Sequence, residues 1–181
     1  MKKKNLINVV LAAMFAALSA VFVWLVHIPN GIGGYTHIGD AIVYIAASLL
    51  PLPYAAVSSA IGFGLADLLS GYPNYIIPSA IIRVLVVLAF SSKSKKLLTK
   101  RNIIALSGAF VITVGGYAVT KFILKYFIER FTVEAAIAAM TASIPGNIIQ
   151  VVLSAVVFII VAAALDKTNF KEKYIGDNNN V

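Results

Sequence analysis

The charges of this chain are confined mainly to three basic clusters, and long apolar runs separate those clusters. Eleven of the 15 lysines and arginines lie in the clusters, which comprise Lys2, Lys3 and Lys4; Lys93, Lys95, Lys96, Lys100 and Arg101; and Lys167, Lys171 and Lys173. Hydrophobic residues make up 60% of the chain and charged residues 12%. A soluble domain is about half apolar and about a quarter charged. The pattern therefore predicts an all-α membrane protein.

Loop-forming residues divide the apolar part of the chain into six segments. They cover residues 6–26, 38–50, 54–69, 75–90, 103–127 and 136–165. Roughly 20 apolar residues span a bilayer, so 181 residues allow one bundle of six transmembrane helices. Pro145 and Gly146 predict a kink or break in the last helix. We expect a substrate-binding membrane domain over residues 1–166 and a polar, disordered cytoplasmic tail over residues 167–181.

The basic clusters also predict how the chain threads the membrane. Lysine and arginine concentrate in cytoplasmic loops, and six crossings would place all three clusters on one side. We therefore expect a multi-pass protein of the plasma membrane with both termini in the cytoplasm. The net charge of +8 follows from these flanking clusters, so the expected partner is the lipid bilayer and not nucleic acid.

Polar residues inside or beside the apolar runs indicate a candidate site, because polar groups in hydrocarbon are costly and commonly functional. Six crossings place them in the outer half of the bundle, beneath a glycine-rich loop that could act as a lid. The spacing of Tyr117 and Lys121 (i, i+4), and of Asn147 and Gln150 (i, i+3), puts each pair on one helix face. The candidate substrate-binding residues are Tyr35, His37, Asp40, Asp67, Asn74, Tyr75, Arg83, Tyr117, Lys121, Asn147 and Gln150.

These polar residues also have structural alternatives. Asp67 and Arg83 could form a buried ion pair between the third and fourth helices. Lys121 could extend its ammonium group to the outer interface, and Asn147 with Gln150 could hydrogen-bond neighbouring helices. Their clustering in one half of the bundle favours a shared cavity.

Several kinds of chemistry are not expected. The sequence has no Gly-x-x-x-x-Gly-Lys phosphate loop, no His-Glu-x-x-His motif and no cysteine. Its two histidines, His27 and His37, lie in or beside one outer loop. Two histidines alone supply too few ligands for a typical metal site. No embedded histidine could serve a serine nucleophile as a base. We expect neither an enzyme nor a cofactor held by this chain.

Alanines recur along the first predicted helix. Ala12, Ala16 and Ala20 are spaced four residues apart, with Ala13 and Ala17 beside them. Small residues at this spacing let another helix approach closely. Packing within the bundle is the commoner use of such a stripe, but its doubling here favours an interface with another molecule.

The six-span chain, its alanine-rich first helix and its capped outer cavity resemble the substrate-binding S component of an energy-coupling factor (ECF) transporter. Residues 35–41, 64–73 and 81–83 look like the branch of S components related to riboflavin, hydroxymethylpyrimidine and pyridoxine-type carriers. The resemblance covers nearly the whole chain except the tail.

The resemblance implies high-affinity binding of a water-soluble vitamin from outside, under a cap formed by residues 31–37 and 72–75. It implies docking through the alanine stripe onto a transmembrane T subunit with two cytosolic ATPases, which use ATP to topple the S component inward. Paired charges and tyrosines favour a flat heteroaromatic cargo, with a pyridoxine, pyridoxal or pyridoxamine vitamer preferred to hydroxymethylpyrimidine, thiamine or riboflavin. A self-contained facilitator or channel, and an assembly protein without a ligand, remain alternatives.

Overall fold

The computed structural model describes residues 3–29 and 35–175. Its helices are α1 (Lys3–Leu25), α2 (Asp40–Leu49), α3 (Leu52–Leu69), α4 (Ile76–Ala89), α5 (Lys100–Ile123), α6 (Val133–Lys167) and α7 (Phe170–Tyr174). A 3-10 turn, Pro73–Tyr75, precedes α4, and a π-helical turn, Leu124–Ile128, extends α5. The short strands β1 (Ile28–Pro29) and β2 (Tyr35–Thr36) pair antiparallel. The predicted all-α class is confirmed.

Four helical stretches are long and apolar enough to cross a membrane. They are Asn5–Leu25, Leu52–Leu69, Lys100–Ile128 and Val133–Lys167. The other two predicted segments form the shorter apolar helices Asp40–Leu49 and Pro73–Ala89. All six predicted segments are therefore helical, and the four long ones identify a membrane protein. The count of six crossings stays a prediction, because ten residues of α2 extend only about 15 Å and the hydrocarbon core is about 30 Å thick.

Helix α2 lies inside the bundle. Its buried residues are Asp40, Ala41, Val43, Tyr44, Ala46, Ala47, Ser48 and Leu49. An apolar segment of this length is more typical of a core helix than of a complete membrane span. Pro51 and Pro53 stand at the start of α3, where the fixed φ of proline suits the first helical turn. The chain therefore reverses direction directly after α2.

Pro145 does not break α6, although the sequence predicted a kink or break there. The helix is continuous from Val133 to Lys167. Membrane helices tolerate proline because neighbouring groups and local adjustments satisfy the freed backbone. At the start of α6, the Thr132 hydroxyl accepts a hydrogen bond from the Ala135 amide at 3.3 Å. One long helix thus carries Ser143, Asn147 and Gln150 down a single face.

Helices α1 and α3 pack closely around Gly62. A methyl group on Gly62 would lie 2.8 Å from the carbonyl oxygen of Ala16 and 2.8 Å from Cβ of Ser19. Ala16 and Ala20 are buried in the bundle. Small residues on both helices therefore allow the two backbones to approach each other.

We expect Gly62→Ala to lower the free energy of unfolding by about 1–3 kcal/mol, because overpacking would push α1 away from α3. Gly115→Ala is the matched control, since no described atom lies within 4 Å of the methyl group that it adds. Alanine favours a helix over glycine by up to about 1 kcal/mol, so the control should be neutral or stabilising. Unfolding of the purified variants in detergent measures both, and equal stability would contradict the close packing.

The segment after α6 is ordered to residue 175, so the predicted disorder of the tail is wrong there. Helix α7 folds back beneath the bundle, and the Lys171 side chain is 2% exposed. Its ammonium group donates to the carbonyl oxygens of Ser48, at 2.8 Å, and Ser92, at 2.6 Å. A cation at this place also suits the negative C-terminal end of α2. Residues 176–181 lie outside the described range, and the domain boundary at residue 166 stays a prediction.

The bundle has two chemically different ends. We call residues 35–39 and 70–75 the cavity end, and residues 90–101 and 166–175 the basic end. Helix α1 finishes at the cavity end, where the rings of His27 and Tyr35 are 5.3 Å apart, so its first residues lie toward the basic end. The start of α1 and the other two basic clusters therefore lie toward the same end, and the placement of that end in the cytoplasm remains a prediction.

Candidate functional site

A buried ion pair joins α2 to α4 below the cavity end. The Arg83 guanidinium lies 3.0 Å from the Asp40 carboxylate, and both side chains are fully buried. Gln150 donates to the other oxygen of Asp40 at 3.2 Å. Arg83 also donates to the hydroxyls of Thr113, at 3.2 Å, and Tyr117, at 3.1 Å. One polar network thus connects α2, α4, α5 and α6.

This network excludes the structural alternative in which Arg83 forms its ion pair with Asp67. The carboxylate beside Arg83 belongs to Asp40, because α2 begins inside the bundle and presents its first residue to α4. Asp67 lies near the end of α3 and accepts a hydrogen bond from the Tyr35 hydroxyl at 2.6 Å. Asp67 is therefore bonded to the β-hairpin at the cavity end, whereas the charge of Arg83 is neutralised by Asp40 on α2.

A cavity lies directly above the ion pair. Its lining residues are Tyr35, His37, Asp67, Tyr75, Tyr117, Lys121, Ser143, Asn147 and Gln150. Its volume is about 30 Å³, which is about the space of one water molecule. Eight of the eleven predicted site residues line this cavity. Asp40 and Arg83 lie in the network beneath it.

The β-hairpin and the loop after α3 place aromatic rings across the mouth of the cavity. The ring of Tyr35 lies 5.0 Å from that of Tyr72 and 5.4 Å from that of His37. Tyr72 in turn contacts Tyr75, with ring centroids 6.3 Å apart. These rings lie where the sequence predicted a cap. The glycine-rich part of the predicted lid, residues 30–34, lies outside the described residues.

Burial keeps the polar groups of the hairpin neutral. His37 is 5% exposed, and burial lowers its pKa to about 4 despite the neighbouring Asp40 carboxylate. The Gly39 amide donates to Nδ1 of His37 at 3.2 Å, so this nitrogen is an acceptor and the 3.8 Å approach to Asp40 is not an ion pair. Burial, reinforced by the charge of Asp67, raises the pKa of the Tyr35 hydroxyl. Both residues therefore present neutral hydrogen-bonding groups.

Lys121 lies inside the cavity end and does not extend to the interface. Its side chain is 3% exposed, and its ammonium nitrogen lies 5.2 Å from the centre of the Tyr75 ring. A cation over an aromatic face is attracted by the ring quadrupole. The alternative in which Lys121 reaches the interface is therefore wrong, and the cavity contains one cationic and one acidic side chain, Lys121 and Asp67.

The two amides of α6 have different surroundings. Gln150 bonds Asp40, as described above, whereas the amide nitrogen of Asn147 is buried without a hydrogen-bond partner among the described residues. Asn147 is 9% exposed and lines the cavity. A buried donor without a partner costs about 1–3 kcal/mol. Asn147 is therefore a donor available to a molecule in the cavity.

Asn74 lies outside both the cavity and the network beneath it, and the sequence reasoning missed polar neighbours of the site. Asn74 is exposed in the 3-10 turn, whereas its neighbour Tyr75 lines the cavity. Ser143 lines the cavity, and Thr113 binds Arg83. Each of these two hydroxyls precedes a predicted site residue by four positions, so the helical i, i+4 spacing would have identified both.

The alanine stripe of α1 divides between two faces. Ala16 and Ala20 are buried against the bundle and Ala12 is half-buried, whereas Ala13 and Ala17 are exposed. Ala16 and Ala20 therefore pack internally, and the docking role of the stripe stays a prediction. The exposed pair, Ala13 and Ala17, retains the spacing of four residues on an outward face.

Comparison with known proteins identifies a family for this chain. The model of a protein family, the ECF-type riboflavin transporter, S component, matches residues 3–167. No curated protein and no solved structure matches the chain. Among residues 3–29 and 35–175, no three histidine, aspartate or glutamate side chains lie close enough together to hold a metal ion.

Proposed function

Because the chain belongs to the family of ECF-type riboflavin transporter S components, we propose that its cavity binds a flat, heteroaromatic, water-soluble vitamin for uptake. Vitamin uptake is the general function of this family, whose members are transporter components and not enzymes. The cavity, its polar lining and its aromatic cover are the features through which this chain would perform that function.

The buried amide nitrogen of Asn147 carries the proposal. A helix-joining residue would use its hydrogen bonds within the bundle, as Gln150 does with Asp40. Asn147 instead leaves a donor without a partner in the described structure, beside the cavity. A ligand carbonyl or ring nitrogen that accepts this hydrogen bond would recover the cost of the buried donor.

The rest of the lining indicates the kind of ligand. Tyr35, Tyr75 and Tyr117 supply aromatic surface, and Asp67 with Lys121 supplies opposite charges. Such a combination suits a flat ring that carries both donors and acceptors. The cavity volume of about 30 Å³ is far below the usual range of about 300–1,000 Å³ for ligand pockets. Aromatic side chains at the mouth would therefore have to move for a vitamin to enter.

Riboflavin is the first vitamin that we propose, because the family description carries its name. A pyridoxine-type vitamer is the second candidate, with Asp67 holding a ring or amine N–H and Lys121 a phenolate-like oxygen. The Asp40–Arg83 pair weakens this second candidate, since Arg83 is already neutralised and only Lys121 remains to hold the anionic oxygen.

The proposal extends to the assembly and its energy source. The chain would work in the plasma membrane, with both termini cytoplasmic, beside a transmembrane T subunit and two ATPases. ATP would be used by those ATPases, since this sequence has no Gly-x-x-x-x-Gly-Lys loop. The closed network beneath the cavity is consistent with a binding subunit that needs partners to release its cargo.

A thermal-shift screen of the purified chain against water-soluble vitamins and their precursors tests the proposal. A vitamin at one hundred times its dissociation constant should stabilise the chain by about 2.7 kcal/mol. Stabilisation by riboflavin would support the first candidate, and stabilisation by pyridoxine without riboflavin the second. No shift with any vitamin would contradict binding in this cavity.

Asn147→Ala is expected to weaken vitamin binding about tenfold or more while leaving the stability of the free chain nearly unchanged. The substitution removes a donor that has no partner in the described structure but would bind the ligand. Isothermal titration and unfolding in detergent measure the two effects. Asn74→Ala is the matched control, because Asn74 is exposed outside the cavity. Unchanged affinity in the Asn147 variant would assign this residue no role in binding.

A further inference from the structure

A second and larger groove lies at the basic end, far from the vitamin cavity. It is lined by Ala47, Leu50, Pro51, Leu52, Pro53, Val87, Leu88, Phe90, Ser91, Ser92, Lys93 and Arg101. Its volume is about 310 Å³, about ten times that of the cavity. This groove could accept a group of atoms without rearrangement.

The walls of the groove are mainly apolar, with a buried inner part and two leucines on the outer side. Leu52 is 48% exposed and Leu88 is 50% exposed, and the turn between α2 and α3 contains no charged residue. Most turns at the end of a membrane helix are polar. An uncharged turn beside exposed leucines is instead compatible with hydrocarbon chains.

Two cations stand at the rim of this apolar surface. Lys93 and Arg101 line the groove and are exposed. Neither side chain forms an ion pair with an acidic residue in the described part of the chain, whereas neighbouring Lys95 pairs with Glu172 at 2.6 Å. Their positive charges are therefore available to an anion.

Lys93 lies in the loop between α4 and α5, and Arg101 lies in the first turn of α5. Partly buried hydrogen bonds hold this loop in place. Asn102 accepts from the Ser91 amide at 2.8 Å and donates to the Ser91 carbonyl at 3.0 Å. The Asp166 carboxylate accepts from the amides of Leu97, at 2.8 Å, and Leu98, at 2.9 Å. The loop is anchored at both ends of its course, so the rim is part of a fixed site.

We propose that this groove binds one anionic phospholipid, with the phosphate between Lys93 and Arg101 and an acyl chain along Leu52 and Leu88. Basic pockets beside membrane helices recognise anionic headgroups by this combination of charge and apolar surface. A soluble anion would leave the apolar walls uncovered, and a purely apolar partner would leave two cations without a counter-charge.

Native mass spectrometry and thermal shift of the full chain in neutral detergent test the proposal with three probes: phosphatidylglycerol, phosphatidylcholine and inorganic phosphate. We expect phosphatidylglycerol to bind with one-to-one stoichiometry and to raise the melting temperature more than the other two. Lys93→Gln with Arg101→Gln should weaken this binding about tenfold or more, without loss of vitamin-induced stabilisation.

Lys167→Gln with Lys173→Gln is the matched control, because it removes the same charge from exposed residues at the same end. The control should bind phosphatidylglycerol as the original chain does. Equal weakening in both double variants would indicate a diffuse surface potential and overturn the site. Equal binding of phosphatidylcholine would overturn the role of charge, and equal stabilisation by inorganic phosphate would overturn the role of the acyl chain.

Discussion

Replacing Arg83 with methionine should lower the free energy of unfolding by about 3–5 kcal/mol, the cost typical of removing one partner from a buried ion pair. The substitution would leave the Asp40 carboxylate buried with Gln150 as its remaining described hydrogen-bond donor. It would also remove the bonds from Arg83 to Thr113 and Tyr117. Few single changes in this chain would remove as many buried contacts.

Unfolding of the purified variants in detergent, combined in a double-mutant cycle, measures this effect. Asp40→Asn removes the charge from the other side, so the double variant should lose clearly less stability than the sum of the two single variants. Lys173→Met is the control, because Lys173 is exposed and its loss should change stability by less than about 0.5 kcal/mol. Additive losses in the cycle would show that Asp40 and Arg83 do not depend on each other.

The sequence predicted which polar residues meet but not how they pair. Composition and spacing placed eight lining residues in one cavity, because six apolar segments and helical periodicity fix both depth and face. Pairing depends on where each helix begins. Asp40 reaches Arg83 because α2 starts inside the bundle. No local sequence pattern predicts how deep in the bundle a helix begins.

Another difference between the sequence-based prediction and the structure also arises from tertiary packing. Lys171 lies in a polar segment that the sequence predicted to be disordered, yet its ammonium group donates to the backbone carbonyls of Ser48, at the end of α2, and Ser92, in the loop after α4. These two groups lie far from Lys171 in the sequence, so no local pattern could predict the contact. Pro145 predicted a kink or break in α6, yet the helix remains continuous.

Leucine at both Ala13 and Ala17 should abolish vitamin uptake while leaving vitamin binding by the isolated chain unchanged. The two alanines are exposed on one outward face of α1, where small side chains would let a helix of the T subunit approach closely. Leucine would hold the partner away. No residue of α1 is among those that line the cavity, so the binding site should be intact.

Uptake by cells that contain the partner subunits, and titration of the purified chain with the vitamin, measure the two effects. Leucine at both Ala138 and Ala142 is the matched control, since these alanines are also exposed and four residues apart, but on α6. The control should transport normally. Ala16→Leu would not distinguish docking from folding, because Ala16 packs against Gly62. Normal uptake with leucine at Ala13 and Ala17 would exclude their face as the docking surface, and lost vitamin binding would indicate damage to the bundle instead.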